Sequence, residues 1–235
     1  VRNAYAVHKF GSNPTPANGI EHTVWDGASL YPWASWDAGA SLVYLKSSDA
    51  GDTSITVYIE GLDENYNVQS EIVTLDPTNP LTTAAVSVNT YIRLFRMYNS
   101  SATSELGDIT AHYGSDAGVV VAQITAGEGQ SLMAVYTVPL GHTALILNHE
   151  FSGSGASALK SRFMRRNAGE VFRNQHAGSV SGNQYNKTYA IPLVCGAKSD
   201  IDIRVIPSTG SSQITSSFEM VLIKDNEFTE WSSGY

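Results

Sequence analysis

Six histidines, one cysteine and 22 acidic residues are the groups in this 235-residue chain that could do acid–base, nucleophilic or metal chemistry. The histidines stand at positions 8, 22, 112, 142, 149 and 176. No pair has His-x-x-x-His spacing, and no cysteine or carboxylate sits beside one at zinc-ligand spacing. His149-Glu150 is the nearest approach to an acid–base pair, but neighbours on a strand point to opposite faces and cannot serve one site. Cys195 follows Ile191-Pro192-Leu193-Val194 and reads as a small buried hydrophobe. A single cysteine also excludes an intrachain disulfide framework. Asp49-Ala50-Gly51-Asp52 and Asp63-Glu64-Asn65 lack the alternating oxygens and fixed glycine of a calcium loop, so they read as solvated turns. Gly127-Glu128-Gly129 lacks the lysine and following helix of a phosphate loop. The pattern predicts no catalytic residue, no metal site and no cofactor. Two carboxylates brought together from distant strands, as in a glycosidase, leave no local mark in a sequence.

Two clusters suit binding better than catalysis. Trp25, Trp33 and Trp36 place three indoles within twelve residues. Such a group covers one end of a β-sandwich, anchors an interface or stacks on a sugar. Lys160, Arg162, Arg165, Arg166 and Arg173 stand against Glu170 alone, a local charge of +4 in a chain of net charge −8. The strip docks on an acidic protein surface or a neighbouring copy, or it is a strand face whose guanidinium groups pair with local carboxylates, or it binds packaged DNA. The acidic balance argues against direct nucleic-acid binding, because phosphate attracts the opposite sign. Charged residues make up only 15% of the chain, which indicates a polar, weakly charged surface. No apolar run approaches the roughly 18 residues of a membrane span. The first ten residues show neither a secretory apolar core nor a cleavage pattern, so a soluble protein made in a cytoplasm is expected.

The elements that must position these groups are strands. Ile55, Val57 and Ile59 alternate with Thr56, Tyr58 and Glu60, and Val68 to Leu75 returns after a turn-rich loop, predicting a hairpin over 54–75. Further strands are expected at 91–98, 107–113, 119–124, 159–166, 170–176, 185–194, 200–207 and 214–224. Leu132 to Val138 and Thr143 to Leu147, joined by Pro139-Leu140-Gly141-His142, read as a second hairpin in mid-sheet. Residues 1–23 are rich in turn formers and read as an extended N-terminal arm, and 226–235 as a tail. Gly114-Ser115-Asp116-Ala117-Gly118 is the expected boundary between two units, 24–113 and 118–225. The fold class is therefore all-β: two β-sandwich or jelly-roll-like units with an N-terminal arm.

Several blocks together carry a resemblance. They are Tyr58-Ile59-Glu60-Gly61-Leu62-Asp63-Glu64-Asn65-Tyr66-Asn67, Glu71-Ile72-Val73-Thr74-Leu75, Tyr91-Ile92-Arg93-Leu94-Phe95-Arg96 and the run from Val121 to Pro139 with Gly141-His142-Thr143-Ala144. They resemble a family of tailed-bacteriophage virion proteins, common in marine and cyanobacterial phages, over about Asp26 to Leu222. The resemblance implies a non-enzymatic decoration (cement) protein on the capsid exterior. It would be a homotrimer seated on the major capsid protein where capsomers meet, with no membrane or direct nucleic-acid contact. It carries no catalytic motif to these residues. Residues 1–36 and 159–173 are then the expected contact surfaces, multivalent binding supplying strength. A tail-fibre or spike module that recognises host glycan through Trp25, Trp33 or Trp36, a glycan depolymerase and a neck connector are the competing readings.

Overall fold

Period-2 stretches rich in Val, Ile, Thr and Tyr, punctuated by Gly, Pro and Asn, dictate strands, and strands are what form. The computed structural model describes residues 4–27, 29–153, 158–181, 184–208 and 213–225. The expected tail at 226–235 lies outside the described residues. In chain order the elements begin with β1 (Ala4–Asn13), β2 (His22–Thr23), α1 (Trp33–Asp37), β3 (Val43–Ser47), β4 (Thr56–Leu62) and β5 (Val68–Thr74). Next come β6 (Ala85–Val86), β7 (Arg93–Asn99), β8 (Ile109–Tyr113), β9 (Val120–Ile124) and β10 (Val135–Thr137). The last are β11 (His142–Gly153), β12 (Ala158–Arg166), β13 (Arg173–Ser181), β14 (Gln184–Cys195), β15 (Asp200–Pro207) and β16 (Ile214–Lys224). The protein is all-β, with one five-residue helix among the described residues.

The chain divides into two units that are not consecutive in sequence. One comprises residues 1–30 and 134–235, the other residues 31–133. The second is thus an insertion between β2 and β10 of the first unit. The sequence expectation of a boundary at 114–118 fails, because that stretch is the turn between β8 and β9 inside the second unit, closed by a Gly118 N–H to Ser115 carbonyl bond of 3.0 Å. A Gly-Ser-Asp cluster marks a tight turn as readily as a linker.

In the first unit one sheet has the order β1-β16-β11-β14 and the other β10-β15-β12-β13, with β2 added to β15. Numbering these eight strands, β2 left aside, one to eight along the chain gives 1-8-3-6 and 2-7-4-5. Consecutive strands thus alternate between the sheets except at the β12–β13 hairpin, which stays within one sheet, and this is the strand order of a jelly roll. The two inner faces meet through residues such as Phe163 of β12 and Phe218 of β16, whose rings pack edge to face at 6.0 Å. Within the expected extended N-terminal arm, residues 4–13 run along the unit as an edge strand, in unbroken register with β16 from Ala4↔Ile223 to Asn13↔Ile214. Gly11 within it approaches other backbone so closely that a Cβ would lie 2.1 Å from the Val24 carbonyl oxygen. The segments on either side of Pro139-Leu140-Gly141 do not pair: β10 joins β15 in one sheet and β11 lies between β14 and β16 in the other. The proline–glycine signal marks a corner where the chain changes sheets.

In the second unit the sheets are β6-β3-β8-β9 and β5-β4-β7, and Leu45, Ile59, Met97 and Ile109 are fully buried. The 54–75 hairpin forms as expected, in register from Thr56↔Thr74 to Leu62↔Val68. Asp63 makes its turn by accepting the Asn65 and Asn67 N–H groups, each at 2.8 Å. Asp52, almost wholly buried, accepts the Leu106 and Gly107 N–H groups at 2.7 and 3.0 Å. Both acidic loops therefore spend their carboxylates on backbone, and no cluster of three potential metal ligands exists among the described residues. No helix among them is long and apolar enough to cross a membrane.

Candidate functional site

The three tryptophans lie in the interior. Trp33 and Trp36 stand one turn apart on α1 and so share a face, and both are buried. Trp36 donates its indole N–H to the Tyr31 hydroxyl at 3.0 Å, and that hydroxyl donates to the Leu94 carbonyl at 3.1 Å. Its ring meets Tyr113 edge to face at 5.1 Å. Trp33 packs against Tyr31 at 4.7 Å and lies under the Arg93 guanidinium at 5.4 Å. Arg93, itself buried, is paired with Asp37 at 3.1 Å. In the other unit Trp25 is buried and donates its N–H to the Ser29 carbonyl at 2.8 Å. None of the three offers a face to a sugar or a partner. Trp25, Trp33 and Trp36 are core residues, which corrects their assignment as binding residues.

The basic strip divides into separate roles. On β12, Arg162 and Arg166 point to the face of the sheet opposite Leu159 and Phe163, which are buried. Arg162 pairs with Glu21 at 2.8 Å and Arg166 with Asp200 at 2.7 Å. Asp202 and Arg204, on the same face of β15, extend the network. Arg204 binds Asp202 at 2.8 Å and Glu21 at 3.2 Å. Thr23 donates to the second Asp202 oxygen at 2.9 Å, and Thr137 donates to Asp200. Phe172 lies under two guanidinium groups, those of Arg166 at 4.8 Å and Arg204 at 4.7 Å. Asp200 and Asp202 are essentially inaccessible. Burial works against the charge on Arg204, but the Asp202 and Glu21 carboxylates outweigh it and raise its pKa. Within this network three guanidinium groups are matched by three carboxylates. Arg173 pairs with Glu170 at 3.1 Å on the surface. Arg165 donates to the Val194 carbonyl at 2.7 Å, and Lys160 is exposed. Of the meanings open to the strip, local pairing with carboxylates accounts for Arg162, Arg166 and Arg173.

Glu21, Asp200, Asp202 and Arg204 carried no warning in the sequence. Asp200-x-Asp202-x-Arg204 interleaved with Ile201, Ile203 and Val205 reads as a solvated face, and only the covering by Thr23 and Phe172 reveals otherwise.

The remaining chemistry-bearing groups are equally occupied. Burial pushes the Cys195 thiol up to about 11, against the opposing pull of Arg165, so it is a poor nucleophile at neutral pH. His149 points inward and is buried, while Glu150 on the other face accepts the Ser217 hydroxyl at 3.0 Å. The opposed faces predicted for this pair are present. His149 is inward because Leu147 is a bulge: Ala144 and Ile146 face the core before it, and His149 and Phe151 after it. His149 belongs to a cluster with His176, Tyr185 and Tyr189, described below.

What the surface does present is apolar. In the second unit Ile72 (61% exposed), Val86 (42%) and Val88 (87%) line a groove whose polar members are Glu71, Thr74 and Asp76. The groove lies along β5 and β6, each the outermost strand of its sheet. Exposed apolar side chains on free strand edges are either a contact surface or an aggregation hazard.

The fold thus defines a jelly-roll protein with an inserted second β unit. No family model matches the chain, and no curated protein sequence matches it. Among solved structures it is similar to that of the infectious bursal disease virus Gt strain, at 11% identity and a TM-score of 0.25, over 94% of this chain and 73% of that one. The Gx strain structure gives 10% identity and a TM-score of 0.27, over 94% and 71% of the two chains. T=1 particles derived from the same virus give 13% identity and a TM-score of 0.23, over 95% and 70%. Likenesses at TM-scores this low carry no argument about function.

Proposed function

We propose that the chain is a non-enzymatic structural subunit of a tailed-phage virion, a decoration (cement) protein on the capsid exterior. It binds the major capsid protein as a homotrimer where capsomers meet. The jelly-roll topology of the 1–30 and 134–235 unit carries this reading. Eight-stranded jelly rolls serve chiefly as capsid subunits, lectins and the metal-holding barrels of cupins. A cupin needs a cluster of metal ligands, and none is found among the described residues. The tryptophans that would have served a lectin are buried. The resemblance of the Tyr58–Asn67 and Val121–Pro139 blocks to phage virion proteins favours assembly among these uses. Fold alone does not assign a function, so the reading stands or fails on binding.

The contact surface in this reading is the exposed β5–β6 edge with Ile72, Val86 and Val88, pressed against the outer face of the shell. It replaces the N-terminal segment and most of the basic strip, whose groups are engaged within the protein. The test is reconstitution: purified protein is added to shells that lack it, and bound protein is measured after sedimentation. Saturable binding that raises the temperature of shell disruption is expected. Val88→Asp, with unchanged circular dichroism, is expected to weaken binding by about tenfold or more, because each loss is multiplied across repeated contacts. Wild-type protein that fails to bind any shell overturns the assignment; full binding by Val88→Asp overturns the surface.

A further inference from the structure

In the jelly-roll unit β13 and β14 are the outermost strands of the two sheets, on the same side of the sandwich. The gap beneath them is closed by imidazoles and phenols in place of aliphatic side chains. The His149 ring lies 5.3 Å from His176 and 5.8 Å from Tyr189, and its Nδ1 is 3.2 Å from the Tyr189 hydroxyl. His176 Nε2 is hydrogen-bonded to the Tyr185 hydroxyl. Strand β14 is already irregular here. It pairs with β11 at Thr188↔Asn148 and again at Leu193↔Ile146, so Tyr189 to Pro192 stand opposite Leu147 alone. Ile191 in that stretch is 85% exposed, and Pro192 has no N–H for a ladder.

We propose that the His149–His176 pair is a proton-operated latch that holds β13 and β14 closed at neutral pH and releases them in acid. The groups facing His149 include no carboxylate, and two of them are basic. From β14, Lys187 is its cross-strand partner, and Tyr185 and Tyr189 flank it. From β13 comes His176, from β12 the Phe163 ring at 5.4 Å, and from β16 its cross-strand neighbour Phe218. Burial first, then the charges of His176 and Lys187, lower the His149 pKa from 6.5 to about 4. His176 is lowered for the same reasons, burial and then Lys187. A histidine depressed in the closed form favours closure fully above its unperturbed value, and the advantage is lost as pH falls from 6.5 to about 4. From that difference His149 alone lowers the closed-to-open ratio about 20-fold between pH 7 and pH 5.

The experiment is amide hydrogen exchange on the full chain at pH 7 and pH 5, corrected for the intrinsic rate. Protection over β13 and β14 is expected to fall about 20-fold while the β4–β5 hairpin of the other unit keeps its protection. His149→Phe, which keeps an aromatic ring among aromatic rings, is expected to abolish the pH-dependent part. Should that variant not fold, the ring protons of His149 in the wild-type protein are titrated by NMR, and His176→Phe is compared by exchange. The latch predicts a His149 midpoint well below 6 and a reduced pH effect in His176→Phe. Unchanged β13–β14 protection at pH 5, a His149 midpoint near 6.5, or an undiminished effect in both variants overturns it. The outcome does not depend on what the protein binds, so failure here leaves the proposed function untouched.

Discussion

Asp202→Ala is expected to cost the jelly-roll unit about 3 kcal/mol, read as the opening free energy of β15 amides in denaturant. Asp202 is inaccessible to solvent and satisfies both the Arg204 guanidinium and the Thr23 hydroxyl. Removing it leaves a cation whose side chain is only 12% exposed, with Glu21 at 3.2 Å as its remaining carboxylate partner. A charge that has lost one of its two carboxylate partners in such a place recovers little hydration, so the loss exceeds that of a surface pair. Arg173→Ala is the comparison: its pair with Glu170 is exposed, and the expected change lies within about 0.5 kcal/mol. Similar small losses for both variants would mean that the Arg162–Glu21–Arg204–Asp202 network is solvated.

Trp36→Ala is expected to destabilise the inserted unit by about 3–5 kcal/mol, the range for deleting a large buried aromatic side chain. Trp36 is fully buried, and its loss would open a cavity beside Tyr113 and deprive the Tyr31 hydroxyl of its donor. Trp36→Phe restores most of the volume but not the N–H, and should recover more than half of the loss. An indole exposed for sugar stacking behaves differently: its removal changes binding and leaves the melting temperature near that of the wild type. A melting temperature for Trp36→Ala within a degree or two of the wild type would return the tryptophans to the surface.

What was legible in the sequence followed the physics of local pattern. The β4–β5 hairpin could be read because Val57 and Ile59 alternate with polar residues and Asp63 advertises its turn. β15 and β16 were equally plain. β1 was not, since an edge strand meets solvent along much of its length and Ala4–Asn13 shows no alternation. The Pro139-Leu140-Gly141 signal is the same for a hairpin and for a corner between sheets, and only the pairing of β10 with β15 distinguishes them. The charges of β12 were visible, but Glu21 lies 141 residues from Arg162. The tryptophan cluster was visible too, and its burial was not, because residue type fixes what an indole can do and packing fixes what it does. The Leu147 bulge, which turns His149 into the core, has no compositional mark at all.

The proposed attachment to a shell, many copies at a time, is tested most directly by the copy number per purified particle. Quantitative mass spectrometry against the major capsid protein is expected to return hundreds of copies. A count of a dozen or fewer would place the protein at the neck or tail and contradict the account.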